Sequence, residues 1–376
     1  MSWNVTLQKL LTHVVHWLTR PRHRSRILLV AATTVMVAIV GGGWSFGVTG
    51  SAGALHFRGY FSTGNELPLW VVYLACAIAV MLFFAGAVML IHDFVADVRR
   101  TRRCAVIALE LRGLVDTSDR PLLQSVPRRL SGQPLDAQID IRPEMGAGAV
   151  ELAFNKLSGI PDVVRRLRGT REKRDVQLLV AGVLQVPFLF YAGVLLDDEG
   201  AVTAMDWDRK AGRWKELDSP DDGERFLSDG LDRLAPNTGK VVLAVSASYR
   251  TDTQAIAATF GTTPIVSLAL PMPLPDSLWS EAKQVALAAQ FLEALAELGN
   301  RGVRGIALIL AAPSSLVLRL GRAYDRRNLP EIACYQYQRD VNPPYPWSVV
   351  IGPTDARLVE APKGSVRVEV NAVPGI

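Results

Sequence analysis

Apolar and polar positions along the chain change their spacing near residue 104. Before it, residues 27–48 and 67–91 contain no Asp, Glu, Lys or Arg. Each stretch exceeds the roughly 20 residues that a helix needs to cross about 30 Å of hydrocarbon. A core helix seldom lacks charge on every face over that length, so the pattern predicts transmembrane helices at 27–48 and 67–92 with a loop at 49–66. Gly41, Gly42 and Gly43 permit a bend or close approach near the end of the first span, while Ala75, Ala79 and Gly86 give the second a line of small residues. Small residues let helices approach in lipid, although Ala and Gly are also simply common there. Ahead of both, Leu7, Leu10, Leu11, Val14, Val15 and Leu18 recur at helical spacing with Trp3 and Trp17. Residues 1–26 therefore read as a basic amphipathic segment that lies in the membrane interface or packs on a neighbouring helix.

After residue 104, short β-branched runs alternate with amphipathic helical patterns. The first set places strands at 105–109, 176–181 and 203–207, a helix over 150–167 broken near Gly159 and Pro161, and a helix over 187–196. The second set repeats the order, with strands at 241–245, 265–268, 306–310 and a closing strand at 332–337. Its helices are a long one capped by Asp276 and ended by Gly299, and one opened by Pro313 that runs to Tyr324. Such alternation predicts an α/β domain of two Rossmann-type halves, 104–220 and 240–376, joined by the Asp-, Gly- and Pro-rich stretch 217–240.

Charge sharpens this division. The formal net charge of +5 and pI of about 9.2 invite a nucleic-acid reading. Residues 1–103, however, hold ten Lys/Arg against Glu66, Asp93 and Asp97, about +7, which leaves the rest at about −2. The basic balance belongs to the membrane flanks and not to a duplex-binding surface. Lys9, Arg20, Arg22, Arg24 and Arg26 precede the first span, Arg99, Arg100, Arg102 and Arg103 follow the second, and only Arg58 and Glu66 lie between. The positive-inside rule then places both termini in the cytoplasm and the loop outside. Signal cleavage near Ala52-Gly53-Ala54 is the competing reading, but the apolar run exceeds the 7–15 residues usual for a signal. No charged residue lies within either span, which argues against an ion-relay transporter.

Composition excludes several chemistries. Three scattered cysteines, Cys76, Cys104 and Cys334, make neither a disulfide scaffold nor a C-x-x-C site. All five histidines lie at or before His92, so the α/β domain can hold neither a Ser-His-Asp nor a Cys-His arrangement. It also lacks the commonest metal ligand, and no phosphate loop of the G-x-x-x-x-G-K-[ST] kind occurs. Gly146-Ala147-Gly148 lacks the third glycine of a dinucleotide fingerprint, and the pairs Asp197-Asp198 and Asp221-Asp222 read as solvated turns. No catalytic residue, metal or cofactor is expected.

Open α/β sheets bind ligands beyond the carboxyl ends of their strands, where loops meet helix N-termini. Here those positions carry Ser246, Ser248, Tyr249 and Arg250 after one strand, and Ala312, Pro313, Ser314 and Ser315 after another. Arg322 follows on the same helix, and Tyr335 and Tyr337 share a face of the last strand. The hydroxyls and free N–H groups suit phosphate, the arginines neutralise it, and the tyrosines suit bases. Helix capping by Ser314, a solvated Arg322 and sheet packing of the tyrosines are the plain structural alternatives.

Residues 241–249, the long helix, residues 305–313 running into Leu316-Val317-Leu318-Arg319-Leu320-Gly321-Arg322, and residues 330–337 together resemble the SAVED domain. Ala311-Ala312-Pro313 followed by Leu320-Gly321-Arg322 is the most specific part. With two preceding spans, the chain resembles membrane effectors of bacterial CBASS anti-phage defence. The resemblance implies two CARF-like halves and a cyclic oligonucleotide ligand, a cyclic trinucleotide, made by a partner nucleotidyltransferase. It also implies ligand-induced homo-oligomers that bring the spans together to breach the bilayer, without enzymatic activity. Arg112 and Gln185 are then the candidate contacts of the first half. Two other readings stay open: a membrane-anchored nuclease that degrades cyclic oligonucleotides, and a structural or sensor subunit of an envelope complex.

Overall fold

A computed structural model describes residues 30–34, 45–52, 55–62, 69–236 and 238–360. It divides into two compact units at residues 102 and 103.

In the first unit, residues 30–34 are helical, and strands β1 (Ser45–Ala52) and β2 (Leu55–Ser62) pair antiparallel, Ser45 with Ser62. Residues 45–48 are thus strand and not the end of the expected first span. Gly41, Gly42 and Gly43 stand just before them, and glycine costs about 1 kcal/mol per helical position. The rest of that span and the 1–26 segment lie outside the described residues. Helix α1 (Leu69–Arg103) contains an apolar stretch, Tyr73–Asp93, long enough to cross a bilayer, and continues past the expected end at residue 92 into its arginines. Trp70, Tyr73, Met81, Phe84, Val88 and Ile91 are exposed, whereas Ala79 and Gly86 are buried. An apolar surface with burial confined to small residues is what lipid-embedded helix packing produces.

The second unit holds two α/β halves with matching topology. In the first, β3 (Ala105–Arg112) lies between β4 (Gln133–Asp140) and β5 (Val176–Val183), followed by β6 (Ala201–Asp208) and β7 (Arg213–Glu216). All pairings are parallel except β6 with β7. Helices α2 (Arg142–Gly146), α3 (Val150–Ser158) and α4 (Ile160–Arg168) precede β5, and α5 (Val186–Leu195) precedes β6. Gly159 separates α3 from α4 and Pro161 stands in the first turn of α4, so the helix breaks where the sequence predicts.

The second half repeats the plan. β9 (Lys240–Ser246) lies between β10 (Ile265–Ala269) and β11 (Gly305–Ala311), with β12 (Glu331–Gln336) beyond, all parallel. The sheet is extended by β8 (Leu227–Asp229) at one edge and by antiparallel β13 (Trp347–Ile351) and β14 (Ala356–Glu360) at the other. The strand at 332–337 therefore does not close the domain. β13 pairs fully buried residues with β12, and a hairpin return of this kind leaves no alternation for a period-based reading to find. Helices α6 (Thr253–Phe260), α7 (Glu281–Asn300) and α8 (Ser314–Ala323) connect the strands. The α7 cap is Ser280, whose Oγ accepts the Lys283 N–H; Asp276 remains in the preceding loop at φ 59°. Asp and Ser cap helices about equally well, so spacing alone could not choose between them.

The core decides how the halves join. Odd-numbered residues of β3 and β9 enter one apolar core shared by both halves, and even-numbered ones enter separate smaller cores. Helices α5 and α8 cross within the shared core at glycines. A Cβ on Gly321 would collide with the Phe190 carbonyl oxygen, and one on Gly193 with that of Leu318. These residues occupy equivalent positions in the two helices, so the crossing is nearly two-fold symmetric. Because α5 is covered on every side, Pro187 to Val194 being buried, it is apolar all round.

Candidate functional site

The site follows from the carboxyl ends of the central strands. The N–H groups of Ala247 and Ser248 both donate to Ala311 O, at 2.9 and 2.8 Å, which ties the loop after β9 beside the loop after β11. A cavity of about 350 Å³ opens there between the halves. Of the residues singled out from sequence, Ser248, Tyr249, Ala312, Pro313 and Ser314 line it. Tyr249 is 51% exposed at the mouth, and neither its hydroxyl nor those of Ser248 and Ser314 has a partner among the described residues.

The other sequence candidates are placed differently. Ser246 Oγ accepts the Thr251 N–H at 3.1 Å and is buried in the turn. Arg250 is exposed and donates to Pro271 O at 2.9 Å. Ser315 is buried, and its N–H and Oγ both donate to Asp206 Oδ2, at 3.1 and 2.7 Å. Arg322 lies about 12 Å along α8 from Ser314 at 1.5 Å per residue. Its guanidinium donates to the carbonyls of Leu196, Glu199 and Gly200, which makes it a clamp on the chain leaving α5 and not a cavity residue. Tyr335 packs edge-on against Phe260 in the core beneath α6, and burial raises its pKa. Tyr337 lies against Tyr345, outside the cavity lining. The two tyrosines share a strand face, but it is the α6 face.

The first-half candidates also resolve. Arg112 is buried on β3 and donates Nε to Glu110 Oε1 at 2.7 Å and Nη1 to Ser118 Oγ at 3.1 Å. Glu110 further accepts from Thr117 Oγ1 and from the Leu122 N–H, so this ion pair is an internal brace for the 113–122 loop. Gln185, immediately before α5, is buried with its Oε1 unpartnered and lies beside the cavity wall, not in it.

Several lining residues escape a reading of sequence. Leu114, Val115 and Val183 form an apolar wall from the first half. Asp206, Trp207 and Arg209 come from the end of β6, and Asp276 and Trp279 from the loop before α7. Trp207 meets Trp214 edge-on at 4.9 Å, and Lys215 Nζ stands 4.5 Å from the Trp279 ring centroid. Arg209 and Asp276 are exposed and form no ion pair among the described residues. Asp206 is 8% exposed; burial raises its pKa, and the hydrogen bonds from Ser315 and Trp207 oppose that. The internal repeat was the available signal for β6: its Asp206 matches Gln336 of β12. Gln336 Oε1 accepts the Val186 N–H at 3.2 Å, at the start of α5, as Asp206 accepts that of Ser315 near the start of α8. Each half thus caps the other's central helix.

The arrangement offers stacking faces, unpartnered hydroxyls, one cation and one buried carboxylate around a cavity sized for part of a nucleotide. Among the described residues no cluster of His, Cys, Asp and Glu could hold a metal ion. Residues 4–152 match the family described as the SAVED-fused 2TM effector domain. Residues 160–351, just over half the chain, match the SMODS-associated and fused to various effectors sensor domain, SAVED. Among solved structures the chain is similar to the Acinetobacter baumannii Cap4 SAVED/CARF-domain containing receptor with the cyclic trinucleotide 2'3'3'-cAAA. That match has a TM-score of 0.45 and 13% identity, over 73% of this chain and 59% of that one. The Moraxella osloensis Cap4 receptor matches with a TM-score of 0.41 and 15% identity, over 72% and 59%. The chain thus spans about three fifths of those structures' length. No curated protein matches. The chain belongs to the SAVED family, its sensor domain fused to a two-transmembrane effector domain.

Proposed function

We propose that this protein is a cyclic-oligonucleotide receptor coupled to membrane disruption, without catalytic activity, acting in CBASS-type antiviral defence. The cavity between the halves carries the reading. It combines Tyr249, Trp207 and Trp279 as stacking faces with the hydroxyls of Ser248 and Ser314 and the cation of Arg209, the groups that nucleotide recognition uses. A cyclic trinucleotide made by a partner nucleotidyltransferase binds there from the cytoplasm. Occupied sensor domains associate into homo-oligomers, and the gathered transmembrane helices breach the inner membrane. Both termini lie on the cytoplasmic side, as the arginine-rich flanks support.

The test uses the full chain in detergent, with melting temperature and particle mass measured against cyclic di-, tri- and tetranucleotides. One ring raises Tm and increases mass, and it is recovered intact after incubation. Cleaved ring would favour the nuclease reading, and no response to any ring would move the protein-contact reading forward.

A further inference from the structure

We propose that the cavity, on the receptor reading above, receives the edge of a nucleobase and not a phosphate, with Asp206 selecting bases that carry an exocyclic amine. The N-terminus of α8 is where a phosphate would ordinarily be favoured. That place already holds an anion: Asp206 Oδ2 accepts the Ser315 N–H at 3.1 Å and its Oγ at 2.7 Å. Gln284 Nε2 donates to Ser315 Oγ at 2.8 Å, so the serine proton is directed at the carboxylate. Asp206 Oδ1 takes only the Trp207 N–H, at 2.8 Å. An ionised carboxylate has about four acceptor positions, which leaves about one unfilled on a residue that lines the cavity.

Burial raises the Asp206 pKa, but the donors at Ser315 and Trp207 and the charge of Arg209 favour its ionised form. A phosphate entering here therefore meets a like charge, with Asp276 adding the same sign from the lining. Adenine, cytosine and guanine instead offer an amine donor to the free lone pair. Uracil flanks its single N–H with two carbonyl oxygens, which a carboxylate repels. Trp207, Trp279 and Tyr249 supply faces for the ring, and the apolar wall at Leu114 and Val115 covers its far side. The phosphates of the same ligand then stay at the rim with Arg209, which lines the cavity and is exposed.

The experiment measures binding of cyclic tri-AMP and cyclic tri-UMP, of the same linkage, to the full chain in detergent. The wild type binds the adenine ring at least about tenfold more tightly, in line with one good base-edge contact. Asp206→Asn, which presents a donor as well as an acceptor, brings the ratio to within about threefold, mostly by weakening the adenine ring. A melting curve of Asp206→Asn checks its fold. Ser315→Ala, which loosens the α8 cap but keeps the carboxylate, retains the adenine preference and so separates capping from selection. Equal binding of both rings by the wild type, an unchanged ratio in Asp206→Asn, or tighter binding by that variant overturns this inference alone. Failure of both rings to bind removes the receptor reading with it.

Discussion

Arg209 and Arg322 are both arginines near the ends of regular elements, yet their surroundings give them opposite work. Arg322 has its guanidinium committed to three carbonyls, whereas Arg209 is unpaired at the cavity rim. Arg322→Ala therefore lowers stability by about 1–3 kcal/mol, seen in denaturant melts, and leaves ring affinity unchanged in calorimetry. Arg209→Ala does the reverse: Tm without ligand is unaltered, while affinity falls and loses part of its salt dependence. Tyr249→Ala weakens binding about tenfold through lost stacking, which titration calorimetry checks. Ser248, Tyr249 and Ser314 were legible in the sequence because strand-end loops and a proline-opened helix announce themselves. Trp207 and Trp279 were not, since a tryptophan in a short amphipathic run is as consistent with core as with a ligand face.

The crossing of α5 and α8 depends on the absence of two side chains. Gly321→Ala forces a methyl group onto the Phe190 carbonyl and destabilises the sensor domain by about 1–3 kcal/mol, measured as a fall in Tm. Gly193→Ala acts likewise by the pseudo-symmetry of the contact. The sequence displays Gly321 inside its most specific motif, but the reason, a backbone-to-backbone approach to Phe190 of a helix far earlier in the chain, exists only in the folded state. The joint between the halves is held as closely. Lys283 on α7 is buried, and its Nζ reaches Asp222 at 2.7 Å and Glu224 at 2.9 Å. Burial pulls the Lys283 ammonium down, yet the two carboxylates more than offset this and leave its pKa raised. The hydrogen bond from Lys283 holds Asp222 below the ordinary aspartate value of 3.8. A depressed carboxylate stabilises above its unfolded pKa and loses that contribution as pH falls through the folded one. The Tm gap between wild type and the Asp222→Asn, Glu224→Gln double variant is therefore largest near neutrality and closes as pH drops below about 4. Lys283→Met is milder than the double variant, because it leaves no buried charge unpaired.

Taken whole, the chain couples a sensor domain to a membrane segment whose described helix buries small residues and turns large apolar ones outward. On the proposed membrane-disrupting function, with small residues mediating helix association, Ala79→Leu and Gly86→Leu abolish ligand-triggered dye release from proteoliposomes while ring binding persists. Dye release at the wild-type rate in both variants would place the association elsewhere. Reciprocal capping by Asp206 and Gln336 makes the two halves depend on one another, so the sensor domain unfolds in one transition instead of half by half; calorimetry with a single peak checks this.

Hydrophobic spacing by itself determined the apolar span at 67–91, the change of regime near residue 104 and the doubled α/β order, because periodicity and length report local solvent exposure directly. The absence of histidine after His92 likewise rules a Ser-His-Asp or Cys-His arrangement out of that part of the sequence. Tertiary structure decided which strand-end residues meet. Ser248, Ser314, Trp207 and Trp279 come from the loop after β9, the start of α8, the end of β6 and the loop before α7, and the packing of the two halves brings them around one cavity. It also decided that Asp206 occupies the helix end where the sequence expected phosphate, since the carboxylate arrives from the other half, 109 positions away, and no local pattern encodes that meeting.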